Sequence, residues 1–102
     1  MATAHQLVTL NATTPTLVSI AQANEMGYER TAATSFLNTD AAITIYLGSY
    51  KDVNGNILSA TSYGYQLPFA QAVAYELGAD DQVYAIAASG TPKLAVFAIE
   101  SI

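Results

Sequence analysis

The chain has 102 residues, 52% of them hydrophobic and only 11% charged, with eight acids against three bases and no cysteine. That length suits one domain with a real core, and a net charge of -5 argues against nucleic acid and anionic membranes, which call for clustered Lys and Arg. The missing cysteines exclude a disulfide scaffold, a thiol nucleophile and a zinc knuckle, and no run of about 18 apolar residues is present to span a bilayer.

The opening MATAHQLVTLNATT has neither a basic start nor a long apolar run, so it does not read as a secretory signal. Residues 1–6 are expected to form an N-terminal arm. Alternation with a period of two, in short runs between Gly, Asn, Asp, Thr and Ser, predicts strands at 6–10, 16–20, 31–38 and 42–48. Residues 20–30 read as a connection with one helical turn. In 42–48, Ile43, Ile45 and Leu47 share one face, and Thr44 and Tyr46 the other.

A fifth strand is predicted at 56–61, after a tight hairpin turn at Asn54-Gly55-Asn56. Residues 73–77 read as a strand, although Phe69, Ala72, Val73, Glu76 and Leu77 also keep a helical spacing between Pro68 and Gly78. The last two strands, 82–89 and 93–100, are apolar on both faces, so each is central in its sheet or covered on its second face. Ser89-Gly90-Thr91-Pro92 between them reads as a hairpin loop. The expected fold is a single all-β domain over 1–102: an antiparallel β-sandwich or flattened barrel of about eight short strands, jelly-roll-like.

The residues that carry chemistry are sparse. His5 is the only histidine and lies in the expected arm, where a solvated residue is a better reading than a general base or a metal ligand. Asp80-Asp81 with Glu76 nearby, and the Asp-x-Asn-Gly-Asn run from Asp52 to Asn56, have some calcium-loop character. Ordinary turn chemistry accounts for both. There is no Gly-x-Ser-x-Gly elbow and no phosphate-cradling glycine loop. No catalytic activity, cofactor or metal is expected.

The seven tyrosines are the most suggestive feature, five of them falling between residues 46 and 75. Tyrosine offers a large contact area with a polar tip and is enriched at interfaces. A surface so short of charge is one that a partner tends to cover. The interface candidates are Tyr46, Tyr50, Tyr63, Tyr65, Phe69 and Phe97.

Asn38-x-x-x-Ala42-Ile43-Thr44-Ile45-Tyr46-Leu47-Gly48, Ser62-Tyr63-Gly64-Tyr65-Gln66-Leu67-Pro68, and the run from Gln82 to Thr91 together resemble motifs of small β-sandwich virion proteins of tailed bacteriophages. The closing apolar strand at 94–100 resembles theirs too. Val8–Asn11 with Leu17–Ser19 fits their first hairpin. The pattern has Gly after Pro68, where this chain has Phe69. The resemblance implies a capsid cement or decoration protein on the outer surface of the phage head. It would be a homo-oligomer, a trimer by the resemblance, bound to the major capsid protein, with its N-terminal segment extending onto a neighbour by strand addition. Neck, tail or head-fibre components are the related alternative. A carbohydrate-binding β-sandwich, with tyrosines stacking on sugars, is the alternative from another class.

Overall fold

The computed structural model describes residues 3–19, 31–78 and 81–101. They form eight strands: β1 (Thr3–Thr9), β2 (Thr16–Leu17), β3 (Thr31–Asn38), β4 (Ile45–Gly48), β5 (Tyr65–Leu67), β6 (Ala72–Gly78), β7 (Tyr84–Ala87) and β8 (Lys93–Ser101). Two antiparallel four-stranded sheets result, sheet A in the order β1-β8-β3-β6 and sheet B in the order β2-β7-β4-β5. Every connection passes from one sheet to the other except β4 to β5. This is the strand order of a jelly roll, so the expected fold class is the one observed.

Alternation builds the core. Ala32, Phe36, Leu94, Val96 and Ala98 point inward from sheet A, and Ile45, Leu47, Leu67, Ala85 and Ala87 from sheet B, all of them buried. Leu10, just after β1, and Val18, just after β2, complete the cluster. Two amides tie the sheets together. Gln6 of β1 donates to the carbonyl of Val18 at 3.2 Å. Asn38, fully buried at the end of β3, donates to the carbonyls of Ile43 and Leu67 at 2.8 and 3.0 Å and accepts from the Asp40 amide at 2.9 Å. A buried polar side chain is tolerated when its partners are all present, and this one has them.

Each corner among the described residues carries its own device. Between β1 and β2, Asn11 Oδ1 accepts from the amides of Thr13 and Thr14. Between β3 and β4, Asp40 Oδ1 accepts from the amides of Ala42 and Ile43, which holds its carboxyl below the usual carboxylate range. Between β5 and β6, the Gln71 amide donates to the Pro68 carbonyl across a turn that puts Ala70 at φ 59°. Between β6 and β7, Asp81 Oδ2 accepts from the Gly78 amide at 2.7 Å. Between β7 and β8, Gly90 supplies φ 62°, a backbone angle that a Cβ disfavours.

Several expectations are corrected. Ser89–Pro92 is a corner and not a hairpin loop, because β7 lies in sheet B and β8 in sheet A. The expected first hairpin is absent for the same reason: β1 pairs with β8 and β2 with β7. Thr3–Gln6 belong to β1, paired in register with β8, so they are no free arm and their strand addition is made within the chain. His5 sits in that strand opposite Phe97. Residues 56–61 hold only isolated bridges, Lys51 to Ile57 and Ser59 to Ser62. The short β5 replaces them in the count of strands. Residues 73–77 are strand, within β6, and the connection at 20–30 lies outside the described residues.

Candidate functional site

The two outer faces of the sandwich follow from the register. In antiparallel sheets directly opposed residues project to the same side, so rows can be read across the strands. On sheet B, Leu17, Tyr84 and Gly48 make one outward row, and Ile86, Tyr46 and Gln66 the next. Tyr63 joins Tyr46 with ring centroids 4.8 Å apart, and Tyr50 meets Tyr84 edge-on at 5.4 Å. Four tyrosines thus share one face. Ile86 projects to that face yet is only 4% exposed, with Tyr46 opposite and Tyr84 two residues away on the same side. The Tyr63 hydroxyl donates to Gln66 Oε1 at 3.3 Å.

The loop at 49–64, which brings in Tyr50 and Tyr63, is organised by Asp52. Its Oδ1 accepts from the amides of Asn54 and Asn56, and its Oδ2 from Asn56 Nδ2 and Ser62 Oγ. Gly55 completes the turn at φ 86°. The Ser62 hydroxyl, then the Asn56 amide, hold the Asp52 carboxyl down to about 2. Its oxygens are therefore engaged by four donors within the loop, the opposite of a carboxylate waiting for a cation. Among the described residues no three His, Asp or Glu side chains come together as a metal centre. Beside the loop lies a hollow of about 530 Å³ with Ser49, Thr61, Ser62 and Tyr63 on its walls.

Sheet A presents a different outer face. Its rows are Thr3, Ile99, Ala33 and Glu76; then His5, Phe97, Ser35 and Ala74; then Leu7, Ala95, Leu37 and Ala72. Leu7 is 57% exposed and Phe97 44%, and Leu37 and Ile99 are exposed as well. Strand β8 is central, as its doubly apolar pattern predicts, but its second face is open to solvent within this chain.

A third feature is the mouth between the sheets at the β5–β6 edge. There Tyr65 and Tyr75 flank a cleft of about 360 Å³ that also takes in Leu47, Leu77 and Val83. Burial, and then the neighbouring Tyr65 phenol, push the Tyr75 hydroxyl above its usual value.

The six interface candidates therefore divide among four places. Tyr46, Tyr50 and Tyr63 gather on sheet B, Tyr65 borders the mouth, Phe97 lies on sheet A, and Phe69 stands exposed in the β5–β6 corner. Tyr84 completes the tyrosine face and was not among the candidates. Its place in the same phase as Ile86, opposite the core-facing Ala85, is the signal that marks it. Of the acidic pair, Asp81 serves the Gly78 amide and Asp80 lies outside the described residues. Compared with protein-family models and with curated proteins, the chain matches none of either.

Proposed function

We propose that this chain is a non-catalytic virion protein that docks on the assembled head shell of a tailed phage and strengthens it, with the tyrosine face of sheet B as its docking surface. The observation that carries this reading is the gathering of Tyr46, Tyr50, Tyr63 and Tyr84 on one face, two of them more than a third exposed. Such rings bring large contact area at little entropy cost and keep hydroxyls for a wet rim. The motif resemblance supplies the virion setting, and the jelly roll supplies a rigid support. The partner is the major capsid protein, on the outer surface of the head.

A protein that binds only assembled shells stabilises them by mass action, because disassembly must first release it. Particles lacking the chain should assemble, yet lose their genome at lower temperature, and purified protein should restore them. Contacts made by aromatic rings should survive high salt far better than ion pairs do. Replacing Tyr46, Tyr50, Tyr63 or Tyr84 by Ala should cost about 2 kcal/mol of shell binding at one position or more. Depleted shells of unchanged thermal stability that fail to attach tails or adsorb to cells would move the protein to the neck or tail.

A second reading has its own observation. The hydroxyl-lined hollow beside Tyr63 suits a sugar, with the ring as stacking wall. Saturable glycan binding that is lost in Tyr63→Ala would favour a carbohydrate-binding module over the cement role.

A further inference from the structure

We infer that the outer face of sheet A is the seat of a second copy of this chain, packed face to face about a two-fold axis parallel to the strands. This surface lies on the opposite side from the tyrosine face, so the inference stands whether or not that face binds a shell.

The relief of the face carries the argument. Across the midline between β8 and β3, each row sets one larger side chain against one smaller: Ile99 against Ala33, Phe97 against Ser35, and Leu37 against Ala95. A two-fold axis lying between β8 and β3, along the strands, places β8 over β3 of the second copy and β1 over its β6. Ile99 then lies over Ala33 of the second copy, Phe97 over its Ser35, and Leu37 over its Ala95. Further out, Leu7 covers Ala72 and His5 covers Ala74, with Thr3 meeting Glu76 at the rim. Each of these inner contacts sets a larger side chain on a smaller one, as interdigitating sheet faces require. A two-fold axis across the strands would instead stack Phe97 on Phe97 and His5 on His5, which overpacks the centre.

The area is near the requirement. Four strands at about 4.8 Å spacing, with seven paired residues at about 3.3 Å each, make a footprint of roughly 440 Å². That is roughly 900 Å² for the pair before side-chain relief is added, close to the lower bound of about 1,000 Å² for a specific interface. Charge permits the approach. Although the chain carries a net -5, Asp40, Asp52 and Asp81 serve loops and corners. The charged residues on this face are Glu76, at the β6 edge, and Lys93, which opposes Thr9 in a further row at the end of the strands. A patch of this kind is self-complementary, as an isologous two-fold contact demands.

The test is sedimentation equilibrium of the full chain at micromolar concentration. The expected mass is twice the 10.7 kDa of one chain. Phe97→Glu and Leu37→Glu should each weaken association by at least about 30-fold, the size of a hot-spot loss, while keeping the far-UV circular dichroism of the parent. Tyr46→Ala, on the other face, should leave the pair intact. The exchange Phe97→Ser with Ser35→Phe restores large on small across the axis and should recover association that Phe97→Ser alone loses. A monomer at 100 micromolar (roughly the top of the useful range), a trimer, or a pair indifferent to both glutamates would overturn the inference. Loss of shell binding with the pair intact would count against the proposed function alone.

Discussion

The outer faces of the two sheets are made by the same alternating strands, and they end in different chemistry. Sheet A exposes Leu7, Leu37, Phe97 and Ile99 among alanines, with Ser35 the one hydroxyl in its middle row. Sheet B exposes tyrosines, each a ring with a polar tip. An aliphatic face gains from permanent burial and loses whenever it is wetted. A tyrosine face tolerates both states, because its hydroxyls keep water when no partner is present. The contrast separates a surface suited to a lasting contact between copies from one suited to a partner that arrives later. It also bears on why strands apolar on both sides occur in a domain only two layers thick: β8 and β7 are central, and on the proposed readings each outer face meets a second surface.

The largest expected effect tests what holds the two faces back to back. Asn38→Ala removes both donors that reach across from β3 to the carbonyls of Ile43 and Leu67. Leaving two such groups without partners should cost about 3 kcal/mol of unfolding free energy. Asn38→Asp should cost at least as much at neutral pH, because it turns an acceptor toward two carbonyls. Chemical denaturation measures both. A loss under about 1 kcal/mol in Asn38→Ala would mean that water takes over the bridge. Both faces should fail together in these variants, whereas the tyrosine substitutions should disturb sheet B alone.

That amide also shows what could be read from the chain beforehand. The strand at 31–38 was legible, but its phase was not: Phe36 and Leu37 adjoin, and only the packing puts Asn38 in the inward phase with Phe36 and Thr34. A polar residue in a core phase is an anomaly only once that phase is known, and its partners lie five and 29 residues away and have no local signature. The corners misled for a related reason. A Gly-Thr-Pro loop turns the chain equally well into a hairpin or across a sandwich, and only the pairing of β8 with β1 and β3 decides between them. β5 has three residues, too few for alternation to register, so Tyr65–Leu67 read as turn. The tyrosine face was half legible. Tyr46 has a clear phase, but Tyr50 and Tyr63 reach the face from a loop, through contacts that periodicity does not encode.

A smaller effect, of opposite sign, is expected where the departure from the phage-protein pattern falls. The corner after Pro68 places its positive φ at Ala70 and not at the residue directly after the proline. Ala70→Gly should relieve a left-handed backbone angle and raise stability by about 0.5–1 kcal/mol. The substitution lies between the sheets' edges and should change neither outer face. A destabilised variant would show that the alanine methyl packs where the backbone angle alone suggests strain.

The smallest effect distinguishes the faces by pH. The Asp52 carboxyl is held at about 2 by the Ser62 hydroxyl and the loop amides, below its ordinary 3.8. The folded chain therefore releases this proton more readily than the unfolded chain does. Its contribution to stability is complete above about pH 4 and is lost as pH falls toward 2. Because Asp52 gathers the loop that carries Tyr50 and Tyr63, acid should loosen the sheet B face first. Hydrogen exchange at the amides of Asn54 and Asn56 should accelerate below about pH 3, while the paired strands of sheet A keep their protection. Ser62→Ala removes the largest cause of the shift and should move the titration of Asp52, followed by NMR, toward its ordinary value. Asp52→Asn should abolish the pH dependence of exchange in that window. If Asp52 titrates near 3.8 in the parent chain, the loop is not organised around its charge. The arrangement of Tyr50 and Tyr63 would then rest on ring packing alone.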